Sequence, residues 1–131
     1  MASALNTARA GIEGRVKTNW AATQVAWPGV EFDAGEMDWI RPTLVFGEGG
    51  MESMGSSGIR TVEGRLFVDF FTLGKTGHGD LYGYIDIMSD LFDGVTVGSV
   101  EFLAASGPRD VSDEQWQGLQ IEVPFIIEGT T

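Results

Sequence analysis

The chain has 131 residues, of which 43% are hydrophobic and 21% charged, a balance that excludes a disordered chain and fits one globular domain over residues 1–131. There is no cysteine, so disulfides, thiolate-bound zinc and cysteine nucleophiles are excluded. The net charge of −11 argues against nucleic-acid binding by the chain as a whole. The charge is uneven, because residues 1–30 carry three bases against one acid and the remainder carries five bases against eighteen acids.

The first predicted element is a helix from Ser3 to about Gln24. Its apolar residues recur at spacings of three and four, which places them on one helical face: Leu5, Ala8, Ile12, Val16 and Trp20. The sequence WPG at 27–29 then indicates a loop, and the acidic stretch EFDAGEMD at 31–38 extends that loop.

Two strands joined by a glycine-rich segment are predicted next. The first, DWIRPTLVFGE, contains Pro42, which indicates an edge strand or an outward-pointing position 42. Residues 47–58 are rich in Gly and Ser and are typical of a long hairpin tip. The second strand runs from Ile59 to about Leu73. We expect its later part to be buried on both faces and its Arg60–Arg65 half to project beyond the core.

A second helix from about Gly79 to Phe92 has the clearest helical periodicity in the chain. Two further strands, in GSVEFLAAS and GLQIEVPFIIEG, close the sequence. The predicted order is therefore α-β-β-α-β-β. We expect an α+β fold with two helices packed on a mostly antiparallel four-stranded sheet, and with a long projecting hairpin.

The stretch TLGKTGHGD at 72–80 contains the Gly-Lys-Thr that ends a phosphate-binding P-loop. The first glycine of such a loop would fall at position 69, which is Asp69, and its charge would repel phosphate. The predicted strand also leaves no room for a loop around the phosphates. The sequence therefore favours a glycine-rich turn between strand and helix over nucleotide binding.

No catalytic or metal-binding pattern is complete. His78 is the only histidine, and no Gly-x-Ser-x-Gly nucleophile elbow accompanies it, so a surface histidine is favoured. Four acids in the 31–38 loop lack the order of a calcium-binding loop, which favours a solvated loop while leaving weak divalent-ion binding open: Glu31, Asp33, Glu36 and Asp38. We therefore expect no enzyme activity, no cofactor and no metal.

The Gly/Ser-rich tip carries two methionines, a residue type that can adapt to the shape of a binding partner. That the methionines are incidental to an ordinary loop is an equally good interpretation. The projecting half of the long strand adds apolar and basic residues beside them. Together they form the predicted interaction residues: Met51, Met54, Ile59, Arg60 and Arg65.

The order of these parts resembles the lambda-type tail terminator, or tail completion, proteins of long-tailed phages and gene-transfer agents. The resemblance spans nearly the whole chain. It is carried by the N-terminal helix, by DWIRPTLVFGEGG and its glycine-rich tip, by GIRTVEGRLFVDFFTLGKTGHGDLYGYIDIMSDLFDG with its Leu91-Phe92 helix end, and by the closing WQGLQIEVPFIIEG.

That resemblance implies a non-enzymatic virion protein, assembled in the host cytoplasm, whose copies form a hexameric ring. The ring caps the tail tube, ends its polymerisation and joins the head connector or stopper, while DNA passes through the lumen without specific binding. The hairpin of residues 47–65 is expected to bind the tube or a neighbouring subunit, and no membrane contact is expected. The alternatives are another neck or minor tail component, such as a head–tail stopper or adaptor, and a small-ligand-binding module or enzyme.

Overall fold

The structure is a computed structural model that describes residues 4–47, 59–73 and 79–130. Two helices cover one face of a seven-stranded mixed sheet that curls into a half-barrel. In chain order the elements are α1 (Ala4–Asn19), β1 (Gln24–Val25), β2 (Trp39–Phe46), β3 (Ile59–Leu73), α2 (Gly79–Phe92), β4 (Thr96–Val97), β5 (Val100–Phe102), β6 (Ser106–Asp110) and β7 (Trp116–Thr130).

Two long antiparallel strands form the centre of the sheet. β3 and β7 have 15 residues each and pair along their whole length, from Ile59 opposite Thr130 to Leu73 opposite Trp116. β2 pairs with the other side of β3, and β5 and β6 pair with successive stretches of β7. The sheet is thus built around one ribbon that holds the shorter strands in register.

The hydrophobic core lies between the helices and one face of this sheet. α1 contributes Ala8, Ile12, Val16 and Trp20, and α2 contributes Leu81, Ile85, Met88 and Phe92. The sheet contributes Leu66, Val68, Phe70, Leu119, Ile121, Val123, Phe125 and Ile127. The alternation of these strand residues is the period-two pattern of a strand buried on that side.

The predicted four-stranded sheet and its α-β-β-α-β-β order are wrong. The described residues form three further strands, and the sheet is mixed because β1 runs parallel to β2. β1 and β4 have two residues each, and every residue of β6 is exposed. Hydrophobic periodicity needs several consecutive residues with one buried face, so these three strands leave no such signal in the sequence.

The predicted bounds of α2 and β3 are confirmed, and β2 pairs with β3 in an antiparallel hairpin. α1 ends at Asn19, earlier than the predicted Gln24, because the chain must extend by Gln24 to pair with β2. The strand predicted over GSVEFLAAS ends at Phe102. The hairpin tip, residues 48–58, lies outside the described residues.

Pro42 was predicted to mark an edge strand or an outward-pointing position, and the structure bears out the first of these for the later part of β2. β1 pairs only with Trp39 and Ile40, so no described strand lies beside β2 from Arg41 onward on the side away from β3. The carbonyl of Ile40 accepts a hydrogen bond from Ala26 N on that side, and alternate residues of a strand direct their backbone groups the same way. Pro42 therefore places its missing N–H at the open edge, where no ladder bond is lost.

Candidate interaction face

The helices leave one side of the sheet uncovered, and this side is named the open face. Leu66, Val68 and Phe70 of β3 pack into the core beneath the helices, so the intervening positions point to the opposite side. The register of the strands defines the open face as a grid of facing side chains: Trp39, Arg41, Thr43 and Val45 on β2, Arg65, Phe67, Asp69 and Phe71 on β3, and Gln120, Glu122 and Pro124 on β7.

A row of polar side chains crosses the middle of the open face. The register aligns Arg41, Asp69, Gln120 and Arg109 across β2, β3, β7 and β6. Arg41 Nε and Nη2 donate to Asp69 Oδ2 at 3.0 and 2.8 Å, and Gln120 Nε2 donates to Asp69 Oδ1 at 2.7 Å. Arg109 Nε donates to Gln120 Oε1 at 2.6 Å. Four strands are therefore joined by side chains as well as by their backbones.

The polar row explains why a carboxylate is tolerated inside the longest strand. Asp69 is 4% exposed, and an ionised carboxylate at that depth is costly unless its oxygens are hydrogen-bonded and its charge is paired. Both of its oxygens accept hydrogen bonds, and the partner Arg41 keeps 48% of its side chain in solvent. In this ion pair the carboxylate of Asp69 is therefore buried and hydrogen-bonded, while the guanidinium of Arg41 remains hydrated.

An aromatic cluster closes one end of the open face. Trp39 stacks on Phe71 with ring centroids 4.4 Å apart, and Phe32 and Trp116 contact Trp39 at 5.2 and 5.8 Å. Gly118 lies under this cluster, where a Cβ atom would come within 2.7 Å of the Phe71 ring. Phe71 is buried as a result, which confirms that β3 is buried on both faces near this end.

The opposite end of the open face is accessible and mixes apolar with charged groups. Val45 and Leu103 are 47% and 41% exposed, and Leu103 N donates to the carbonyl of Pro124. Beside them Arg65 Nε lies 2.9 Å from Glu122 Oε2, with 62% of the arginine side chain exposed. This end therefore combines accessible aliphatic side chains with a hydrated ion pair.

Of the five predicted interaction residues, the structure places one on the open face, and that one is Arg65. Met51 and Met54 lie outside the described residues. Ile59 and Arg60 belong to β3, but their side chains are also outside what the structure describes. The polar row itself was missed, because its pairings join residues far apart in sequence. The available signal was Arg41, the one charged residue of β2, and Asp69, which lies in the apolar half of β3.

A second polar cluster ties the start of β2 to α2. Thr72 Oγ1 donates to Asp38 Oδ1 at 2.8 Å, and Tyr84 OH donates to Asp38 Oδ2 at 2.5 Å. The hydrogen bond to Asp38, together with burial, raises the pKa of Tyr84 to about 12. Asp38 therefore departs from the predicted solvated loop, whereas the other three acids of that loop are exposed.

Metal and phosphate chemistry gain no support from the described parts of the chain. Within them no three His, Cys, Asp or Glu side chains are grouped so as to hold a metal ion. Asp69, at the position of the first P-loop glycine, is bound to Arg41 and Gln120 within a strand. Residues 74–78 of the turn lie outside the described residues. No helix in the described ranges is long and apolar enough to cross a membrane.

Comparison with known proteins supports the fold. No family model matches the chain, and no curated protein matches it. Sixteen chains of solved structures match. One of these superposes with a TM-score of 0.72 at 16% sequence identity, and the alignment covers 97% of each chain. At that identity the likeness shows a shared fold and carries no conclusion about function.

Proposed function

We propose that this protein is a structural virion component of the tail-terminator kind. Its copies form a ring that caps the tail tube, ends tube polymerisation and provides the joint to the head connector. The observation that carries the proposal is the open face, an entire side of a seven-stranded sheet that the chain's own helices leave uncovered. A broad surface of this kind suits a protein partner, because small ligands are bound in concave sites.

The chemistry of the open face favours assembly over catalysis. The polar row satisfies its own members, so Asp69 and Gln120 are engaged within the sheet rather than aimed at a substrate. The accessible end offers Val45, Leu103 and the Arg65–Glu122 pair, which are groups that a protein surface can cover. The long β3–β7 ribbon beneath them gives this surface a rigid support.

A ring forms when each copy uses one surface to bind a different surface of the next copy. Such head-to-tail contacts give a closed ring when the rotations between successive copies add up to a full turn. The net charge of −11 is compatible with passage of DNA, because a chain of that sign does not hold phosphates electrostatically. In this role the protein needs no cofactor, and its partners are its own copies, the tail tube protein and the head connector or stopper.

Negative-stain imaging of the purified protein, with and without tail tubes, tests the proposal. We expect rings of the wild-type protein at one end of each tube and tubes that stop growing after capping. Val45→Asp should prevent capping without unfolding the domain, because it places a charge in the accessible apolar end. Glu36→Lys, an exposed change in the 31–38 loop, is the matched control and should cap normally.

The outcomes separate the alternatives. A protein that stays monomeric and ignores tubes would contradict the proposal. Rings that bind the connector but leave tubes uncapped would instead favour another neck component. A small molecule that raises the melting temperature, with no assembly, would favour a ligand-binding domain, because a ligand that binds only the native state stabilises it.

A further inference from the structure

A groove of about 450 Å³ lies on the helix side of the sheet, between α1 and the edge of β2. Its floor is apolar and is formed by Ile12, Val16, Leu44, Phe46 and Leu66. On the far side the loop from Trp27 to Val30 completes the wall. No described strand covers the β2 edge after Ile40, so the groove is open along that edge.

The rim of the groove has an excess of basic residues, in contrast to the acidic net charge of the whole chain. Arg9 and Lys17 are exposed on α1, and Glu13 lies between them with its Oε1 3.0 Å from Arg9 Nη1. The rim therefore carries one net positive charge. This agrees with the balance of residues 1–30, where three bases face one acid, in a chain whose net charge is −11.

The outer face of α2 has the complementary chemistry. Asp86 and Asp90 are exposed there, four residues apart and therefore on one side of the helix. Tyr82 and Ile87 flank them and are 50% and 47% exposed. α2 contains no basic residue. The outer face thus presents two large apolar side chains around two exposed acids.

The groove and this outer face lie on different sides of α1. Arg9, Glu13 and Lys17 repeat every four residues and form the stripe along the groove. Another stripe faces α2 and the residues after it, because Arg15 Nε donates to the carbonyl of Leu91 at 2.6 Å and a Cβ on Gly11 would contact Val97. A copy therefore cannot place its own α2 in its own groove.

We propose that the groove receives the outer face of α2 from a second copy of the chain. Tyr82 and Ile87 cover the apolar floor, and Asp86 and Asp90 meet Arg9 and Lys17 at the rim. Because two different surfaces are joined, the contact is head-to-tail and can propagate around a ring. This inference rests on the proposed ring function and names its subunit contact.

Charge reversal tests the contact in a way that permits rescue. Variant one carries Arg9→Glu and Lys17→Glu, and variant two carries Asp86→Lys and Asp90→Lys. Each variant alone should self-associate at least about tenfold more weakly than wild type, because like charges then face each other. An equimolar mixture should regain assembly, since the reversed groove of variant one can accept the reversed α2 of variant two. The unchanged groove of variant two can likewise accept the unchanged α2 of variant one. Analytical ultracentrifugation measures all three samples, and circular dichroism checks that each variant is folded.

Disulfide trapping gives an independent test, because the chain has no cysteine of its own. Val30→Cys lies on the groove wall and is 63% exposed in the wild type, and Ile87→Cys lies on α2. The double variant should form a covalent ladder of several subunits after mild oxidation. The matched control pairs Val30→Cys with Leu103→Cys, which is similarly exposed but lies on the open face, and it should yield no ladder.

The failures of the two proposals are distinguishable. If both charge variants assemble like wild type, or if the mixture of weakened variants is not rescued, the groove contact is refuted while ring formation stands. A double cysteine variant that oxidises no better than its control also refutes the contact. If the wild type forms no ring, alone or on tubes, the proposed function fails and this contact fails with it.

Discussion

The two faces of the sheet are built from alternate residues of the same strands, yet different interactions stabilise them. On β3, Leu66, Val68 and Phe70 are fully buried against the helices. Their neighbours Phe67 and Asp69 point to the open face, where Asp69 is held by a polar row and Phe67 remains partly exposed. The comparison teaches that the covered face is held by continuous apolar burial, whereas the open face is held by a buried polar row and an aromatic cluster and keeps accessible side chains between them.

Removing one phenylalanine from each face should break this comparison most strongly. Phe70→Ala should lower the free energy of unfolding by about 3–5 kcal/mol, because the ring is fully buried and its loss leaves a cavity. Phe67→Ala on the open face should cost about 1–2 kcal/mol, since solvent already reaches part of that ring. Urea unfolding monitored by circular dichroism measures both. Equal losses would show that the open face is as much a core as the covered face.

The centre of the polar row gives the next largest effect. Asp69→Ala should lower the free energy of unfolding by about 2–3 kcal/mol, because Arg41 and Gln120 lose a shared, buried and charged acceptor. Glu63→Ala is the matched control, since this acid lies on the same strand and face but is exposed, and it should change stability by less than about 0.5 kcal/mol. If the two substitutions cost the same in denaturant titrations, the row does not join the strands.

Burial also decides which elements can be predicted from the sequence and which cannot. The bounds of β3 and α2 follow from long periodic runs, in which burial on one side repeats often enough to be read. β6 has no such run because all its residues are exposed, and its pairing is fixed by β7 rather than by its own composition. A strand of that kind is specified by tertiary contact.

Site prediction is limited for a related reason. Arg65 was predicted as an interaction residue from its place on the long strand, which a local run of sequence indicates. The polar row requires the register of β2 against β3 and of β3 against β7, which brings Asp69 to Gln120 across 51 positions of sequence. One sequence contains the residue types of the row but not the pairings that make them a unit.

Tyr84 provides a smaller test on the covered side, where α2 is tied to the start of β2. Tyr84→Phe should cost about 1 kcal/mol at pH 8, because Asp38 loses a hydrogen bond while the ring contact with Trp20 is kept. The pKa of Tyr84 is raised to about 12 in the folded chain from an ordinary value of 10, so its stabilisation is complete below pH 10 and is lost as the pH rises through 12. Thermal unfolding of both proteins from pH 8 to 12 should show the difference shrinking. A difference that stays constant over that range would contradict the hydrogen bond.

The smallest effect on the free energy of unfolding is expected at Arg65. This residue sharpens the comparison of the two faces, because its substitution should change tube capping without changing stability. Arg65→Ala should change the free energy of unfolding by less than about 0.5 kcal/mol, since its ion pair with Glu122 is largely hydrated. If the accessible end of the open face contacts the tail tube, Arg65→Glu should nevertheless reduce tube capping, because it places two acids side by side at that contact. Capping counted by negative stain, with Arg65→Lys as the charge-preserving control, measures this. Full capping by Arg65→Glu would place the tube contact elsewhere on the molecule. Lost capping in a variant of unchanged stability would show that this end of the open face takes part in the contact without contributing to folding.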